Sequence, residues 1–234
     1  MFAIFKRELQ SYFSSAIAYI VMAVFYFFSG LFFYVYCIKQ NSSSLTYVFS
    51  SMFMFIIFII PLITMKTFSD EKRLKTDQAL LTSPVNLFEI VTGKYLAALT
   101  MFACCMSSFI VFAIVISFFA TPQWSVIFCT FIGMLLLGGA LIAIGMFFSA
   151  LTSNQVVAAV WGIAAGLFIY FLDSIGSLFS LSAIDKVVSW LSFNQNYSNF
   201  TYGVMDLKNV VFFLSFIVLF NFFTIRVFEK KRWS

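Results

Sequence analysis

The chain has 234 residues, of which 62% are hydrophobic and only 10% are charged, with a formal net charge of +5. A soluble domain carries about 25% charged residues, so there is too little polar surface here to cover a soluble globule. The composition therefore predicts an all-α integral membrane protein, with residues 1–234 forming a single transmembrane domain.

Several kinds of chemistry are excluded by residue type. The chain contains no histidine, which removes Ser-His-Asp and Cys-His catalysis and His-ligated metal sites. All four cysteines lie inside apolar runs and show neither a disulfide framework nor zinc-ligand spacing. The basic residues lie at the edges of apolar runs, a pattern of membrane topology rather than of a nucleic-acid surface. We expect no catalytic, metal or cofactor site in the chain.

Residues 1–14 have an amphipathic pattern. Phe2, Phe5 and Leu9 recur at helical spacing, and Lys6 and Arg7 occupy other positions. We interpret this segment as a helix in the membrane interface, with Lys6 and Arg7 toward anionic headgroups. The alternative is a simple extension of the first span.

Six apolar runs follow, each near the 20 or so residues that a helix needs to cross a bilayer. They are residues 16–38, 47–65, 95–120, 124–149, 156–172 and 210–225. Pro61 is expected to kink the second. Gly162 and Gly166 in the fifth form a small-xxx-small pair that favours close helix packing. Residues 173–208 are too polar to span and are interpreted as one or two amphipathic helices on the outer membrane face.

The segment 66–94, between the second and third runs, holds nine of the 23 charged residues. Thr76 is placed to cap a short helix that ends at Leu81, and Ser83-Pro84 is a second helix start. Two capped helices in a short loop favour an ordered surface that binds a partner protein. The alternative is a loop that is simply exposed to solvent.

The distribution of positive charge predicts orientation. Six spans put both termini on one side, and that side carries 11 of the 14 basic residues. By the positive-inside rule, both termini and the segment 66–94 are cytoplasmic. These basic residues are Lys6, Arg7, Lys66, Lys72, Arg73, Lys75, Lys94, Arg226, Lys230, Lys231 and Arg232.

Neither ATP binding nor ion coupling is visible in the chain itself. There is no GxxxxGK[ST] sequence, so no P-loop is present. Few ionisable residues lie within the spans, whereas proton-coupled carriers bind charge at membrane depth. Any transport therefore needs energy from outside this chain, and the segment 66–94 is where we expect it to enter.

Three stretches carry a resemblance to a known family. The first runs from Asp70-Glu71-Lys72-Arg73 through Thr76, Leu80-Leu81 and Ser83-Pro84-Val85 to Gly93-Lys94; the second is 145–155 and the third 193–206. The sequence resembles the ABC-2 type permeases, and the third stretch resembles their gliding-motility-associated subfamily. Lys75 departs from the pattern, because the family often has glycine before the threonine.

The resemblance implies a mechanism. Residues 1–14 would be an elbow helix, and the segment 66–94 would be the cytoplasmic coupling loop of a permease subunit in the bacterial inner membrane. A separate ABC ATPase subunit, which carries ATP and Mg²⁺, would dock there. A second, identical or related permease chain would complete an exporter, with a further membrane or periplasmic subunit also compatible. The expected docking residues are Asp70, Glu71, Lys72, Arg73, Thr76, Leu80 and Leu81.

A second function remains open at this stage. The resemblance to the gliding-associated subfamily also fits a membrane scaffold or mechanotransmission subunit of a motility or secretion assembly. An intramembrane enzyme is disfavoured, because histidine and clustered intramembrane carboxylates are absent. The transported substrate is not readable from the residues.

Overall fold

The computed structural model describes residues 1–40, 42–76, 86–178 and 191–233, and all regular elements in these ranges are helical. Leu80, Leu81, Ser83 and Pro84 lie outside the described residues. In chain order the helices are α1 (Phe2–Ser14), α2 (Ala16–Phe33, continued by a π-helical turn Tyr34–Ile38), α3 (Thr46–Thr64), α4 (Lys66–Arg73), α5 (Leu87–Phe119), α6 (Trp124–Leu151), α7 (Gln155–Leu178), α8 (Phe193–Thr201) and α9 (Leu207–Trp233).

Six helical stretches in the described part of the chain are long and apolar enough to cross a membrane: α2 with its π-helical turn, α3 with α4, α5, α6, the Gln155–Leu172 part of α7, and α9. This confirms the all-α, six-span membrane fold. α5 begins at Leu87, before the expected start at 95, because Leu87, Ile90 and Val91 are buried and extend its packed face beyond the apolar run.

Helix α6 lies at the centre of the bundle and contacts α3, α4, α5, α7, α8 and α9. Its most apolar window is 67% buried, against 11% for α9, which lies at the periphery. Glycines allow this crowding, since a Cβ at Gly138 would overlap the ring of Phe102. Gly162 and Gly166 of α7 lie against Pro61 and Ile57 of α3 in the same way.

The two ends of the bundle carry different short helices. At the end bearing α4, the Met1 ammonium lies 3.0 Å from the Glu89 carboxylate, and the rings of Phe68 and Phe228 lie 4.7 Å apart. Both termini therefore lie at this end, which we call the α4 end. Helix α8 lies at the opposite end, the α8 end, against the start of α6, where Thr130 donates a hydrogen bond to the Phe200 carbonyl.

Candidate functional site

Helix α4 continues α3 after a break at Met65. The buried hydroxyl of Ser149, at the end of α6, inserts into the backbone there. It accepts hydrogen bonds from the backbone N–H groups of Phe68 and Ser69, each at 3.1 Å, and donates one to the Met65 carbonyl at 3.1 Å. A side chain that enters the helical hydrogen-bond ladder is a recognised cause of a helix bend. Ser149 therefore provides hydrogen-bond partners for the backbone groups at the break and holds the start of α4 against α6.

A buried lysine fixes the inner face of α4. Lys94 of α5 is only 1% exposed, and its ammonium lies 2.8 Å from the Glu71 carboxylate and 3.1 Å from the Glu8 carboxylate. It also donates a hydrogen bond of 2.9 Å to the Thr67 carbonyl and lies 5.2 Å from the centre of the Phe68 ring. A buried charge is tolerated only when it is paired and hydrogen-bonded in this way.

Helix α1 is part of the same assembly. Arg7 lies 2.8 Å from the Glu8 carboxylate and 3.4 Å from that of Glu71. The Tyr12 hydroxyl donates to the Ile63 carbonyl at 3.1 Å and lies 3.3 Å from the Thr67 hydroxyl. Burial raises the pKa of Tyr12 to about 12, so the phenol stays protonated and can donate. Arg7 thus binds carboxylates of the protein, a contact that its expected interaction with lipid headgroups did not include.

Further contacts tie α4 to α7 and α9. The Gln155 amide donates to the Asp70 carboxylate, and the Lys72 ammonium donates to the Ala150 carbonyl. The Lys72 ammonium also lies 5.6 Å from the centre of the Phe228 ring. We call the set Glu8, Thr67, Glu71, Lys94 and Ser149, with these neighbours, the α4 junction. It connects six helices through one eight-residue helix.

The outer side of α4 is exposed and, among the described residues, makes no such contacts with other helices. Arg73 is 62% exposed and forms an ion pair with Asp70, one turn earlier, at 3.1 Å. The helix then ends in a left-handed residue, Lys75, at φ 57°. The Thr76 N–H donates to the Glu71 carbonyl and the Lys75 N–H to the Lys72 carbonyl, which is the Schellman arrangement of a helix C-terminus. Glycine is favoured at that position, which explains why the family pattern often has it there.

The expected docking residues therefore divide between two faces. Asp70, Glu71 and Lys72 are bound to other parts of the chain, whereas Arg73 and Thr76 are exposed. The Thr76 hydroxyl donates a hydrogen bond of 3.3 Å to the Glu71 carbonyl at the C-terminal end of α4. The helix expected from Thr76 to Leu81 falls on residues outside the described ranges.

Sequence reasoning did not assign roles to Glu8, Lys94 and Ser149. Lys94 appeared as a motif residue and as one of the basic residues that predict orientation, and Ser149 appeared as a residue of a second motif. The structure brings the two motifs together. No sequence pattern pointed to a role for Glu8, because its partner Lys94 is distant in sequence. Within the described residues, no three His, Cys, Asp or Glu side chains are close enough together to hold a metal ion. The α4 junction connects helices through ion pairs and hydrogen bonds.

Comparison with known proteins agrees with this geometry. The family model described as ABC-2 family transporter protein matches residues 38–225, which include α4 and, of the five residues that define the α4 junction, all except Glu8. No curated protein matches the chain. Because the match covers far more than half of the sequence, and the six spans fit it, the chain belongs to the ABC-2 transporter family as a membrane-spanning permease subunit.

Proposed function

We propose that a separate ABC ATPase subunit moves this permease through the outer face of α4 and the loop that follows it. ATP and Mg²⁺ are bound by that subunit, and this chain supplies the docking element and the six spans. Family membership implies association with an ABC ATPase. The proposal adds the point of entry and the path by which the displacement travels.

The arrangement of α4 carries this proposal. A displacement applied at Arg73 reaches α5 through Glu71 and Lys94, α6 through Ser149, α7 through Asp70 and Gln155, and α1 through Glu8. A short helix fixed at several points moves as a rigid body and shifts its neighbours together. Arg73 supplies exposed positive charge for register on the partner.

The orientation follows from charge. The α4 end carries 11 of the 14 basic residues, which supports a cytoplasmic location for both termini and α4 in the inner membrane of a bacterium. Transport in the outward direction rests on the resemblance described above. So do pairing with a second permease chain and membership of the gliding-motility-associated subfamily, and all three stay predictions.

The docking role is tested by charge reversal at Arg73. In a complex with its ATPase, we expect Arg73→Glu to weaken association about tenfold, the equivalent of about 1.4 kcal/mol. The fold should be unaffected, since Arg73 is 62% exposed and its ion pair among the described residues is with Asp70 of its own helix. Lys39→Glu, an exposed change beyond α2 at the α8 end, is the matched control. Affinity is measured by titrating ATPase onto permease in nanodiscs, and equal affinities for the two variants would overturn the docking role.

A scaffold or mechanotransmission subunit is the other function to separate. Both functions use the α4 junction, but only a transporter couples ATP hydrolysis to the passage of a substrate. ATP turnover of the reconstituted complex that rises with a candidate substrate, and accumulation of that substrate across the membrane, would favour transport. Turnover that responds only to an added motility or secretion component would favour the scaffold.

A further inference from the structure

A cavity of about 860 Å³ lies beneath the α1–α2 bend, bounded by α1, α2, α3, α4 and α5. Its volume falls within the range of sites that hold small molecules. One part of its lining is apolar and belongs to the spans, with Ile17, Val21, Leu62 and Met101 as examples. The other part is polar and belongs to α1 and α4. The cavity therefore has the two-part chemistry of an amphiphile at a membrane surface.

The charges around the cavity are unequal once internal pairs are removed. Arg7 and Lys94 are matched by Glu8 and Glu71, and the Asp70 carboxylate is held by Arg73 and Gln155. Lys66 is left, a half-exposed lining residue that makes no ion pair or side-chain hydrogen bond with any part of the chain that the structure describes. Arg7 is already paired with Glu8 and Glu71 but is 57% exposed, so it offers a further hydrogen-bond donor without adding net charge. The polar part is thus complementary to an anion.

From these observations we propose that the cavity binds an anionic phospholipid of the surrounding membrane. Its phosphodiester lies against Lys66 and Arg7, and an acyl chain lies along Ile17, Val21 and Leu62. Basic pockets between spans on the positively charged side of a membrane protein are suited to acidic headgroups. The apolar wall adds affinity that a free phosphate ion cannot gain. The site contacts α1 and α4 together and does not depend on how the chain is coupled to an ATPase.

The test compares lipid retention by the full chain. Purified protein is exchanged into nanodiscs or mixed micelles with phosphatidylglycerol or phosphatidylcholine, and bound lipid is counted by native mass spectrometry. We expect the wild-type protein to retain more phosphatidylglycerol than phosphatidylcholine. Lys66→Gln should weaken that retention about fivefold, the equivalent of about 1 kcal/mol for one basic side chain near an anionic surface.

Lys6→Gln is the matched control, since it removes an exposed charge from α1 that does not line the cavity. A second variant, Ala18→Phe, fills the apolar part without changing charge and should also reduce retention. Thermal melting of each variant confirms folding. Equal loss in Lys6→Gln and Lys66→Gln, or no preference for the anionic lipid in wild type, would overturn the proposal.

Two further measurements test whether a free anion or the ATPase subunit, rather than a phospholipid, binds in the cavity. Inorganic phosphate at high concentration should not displace bound phosphatidylglycerol, and displacement would assign the site to the free anion instead. Amine labelling of Lys66 should fall when phosphatidylglycerol is added. If only the ATPase subunit protects Lys66, the cavity belongs to that protein and the lipid proposal is wrong.

Discussion

The two ends of the bundle are fastened by different chemistry. At the α4 end, Lys94 of α5 is 1% exposed and lies between two carboxylates, one from α1 and one from α4. At the α8 end, the buried residues Phe193, Tyr197 and Phe200 pack into the bundle. Among the described residues, Thr130 and Tyr197 donate neutral hydrogen bonds to backbone carbonyls at this end.

This difference suggests different mechanical roles. Aromatic packing resists small displacements, because a close-packed interior has no free volume to absorb them. An ion-pair network has few discrete arrangements, and its geometry sets which helices move together. If the proposed coupling through α4 holds, the ion-pair network would move the connected helices together, whereas aromatic packing would keep the α8 end closed.

The largest expected effect comes from removing the buried cation. Lys94→Ala removes the buried partner of Glu8 and Glu71 and leaves the exposed Arg7 paired with them. We expect a loss of about 3–5 kcal/mol in the free energy of unfolding. Arg226→Ala is the control, because it breaks an exposed pair with Glu229 at 2.6 Å and should cost no more than about 1 kcal/mol. Denaturant titration in mixed micelles measures both.

A compensated variant separates charge from packing at the same position. Lys94→Met with Glu8→Gln and Glu71→Gln keeps the side-chain volume and removes all three charges. Neutral replacement of a buried ion group is often tolerated, so this variant should be more stable than Lys94→Ala. If Lys94→Ala costs no more than Arg226→Ala, the junction is not held by charge and the contrast between the two ends fails.

The α8 end is tested by crowding its packing. A Cβ at Gly133 would lie 2.5 Å from the Cγ of Phe200, so Gly133→Ala should cost about 1–3 kcal/mol through overpacking. Gly30→Ala is the control: nothing lies within 4 Å of its added Cβ, and alanine there should be neutral or favourable by up to about 1 kcal/mol. Hydrogen exchange should show Gly133→Ala loosening α8 and leaving α4 protected; equal loosening at both ends would contradict independent fastening.

The sequence predicted the number of membrane-spanning helices correctly. Six apolar runs and the charged segment between the second and third were enough for the span count, because span length and hydropathy are local properties. The direction in which Glu71 points was not predictable, since its partners Glu8 and Lys94 are set by the packing of α1 and α5. The role of Glu71 in docking stays a prediction, and nothing in a single sequence marks that its carboxylate contacts Lys94 on the inner face of α4.

The smallest expected effect comes from a substitution in the turn at the C-terminal end of α4. Lys75 adopts φ 57° at the helix end, where glycine avoids the cost that a Cβ incurs in the left-handed region. Lys75→Gly should therefore stabilise the chain by up to about 1 kcal/mol. Lys6→Gly places the same substitution inside α1, where it should destabilise by about 0.5–1 kcal/mol. Opposite signs in the two melting temperatures would confirm the turn, and a loss in both would show that Lys75 does not adopt the left-handed conformation.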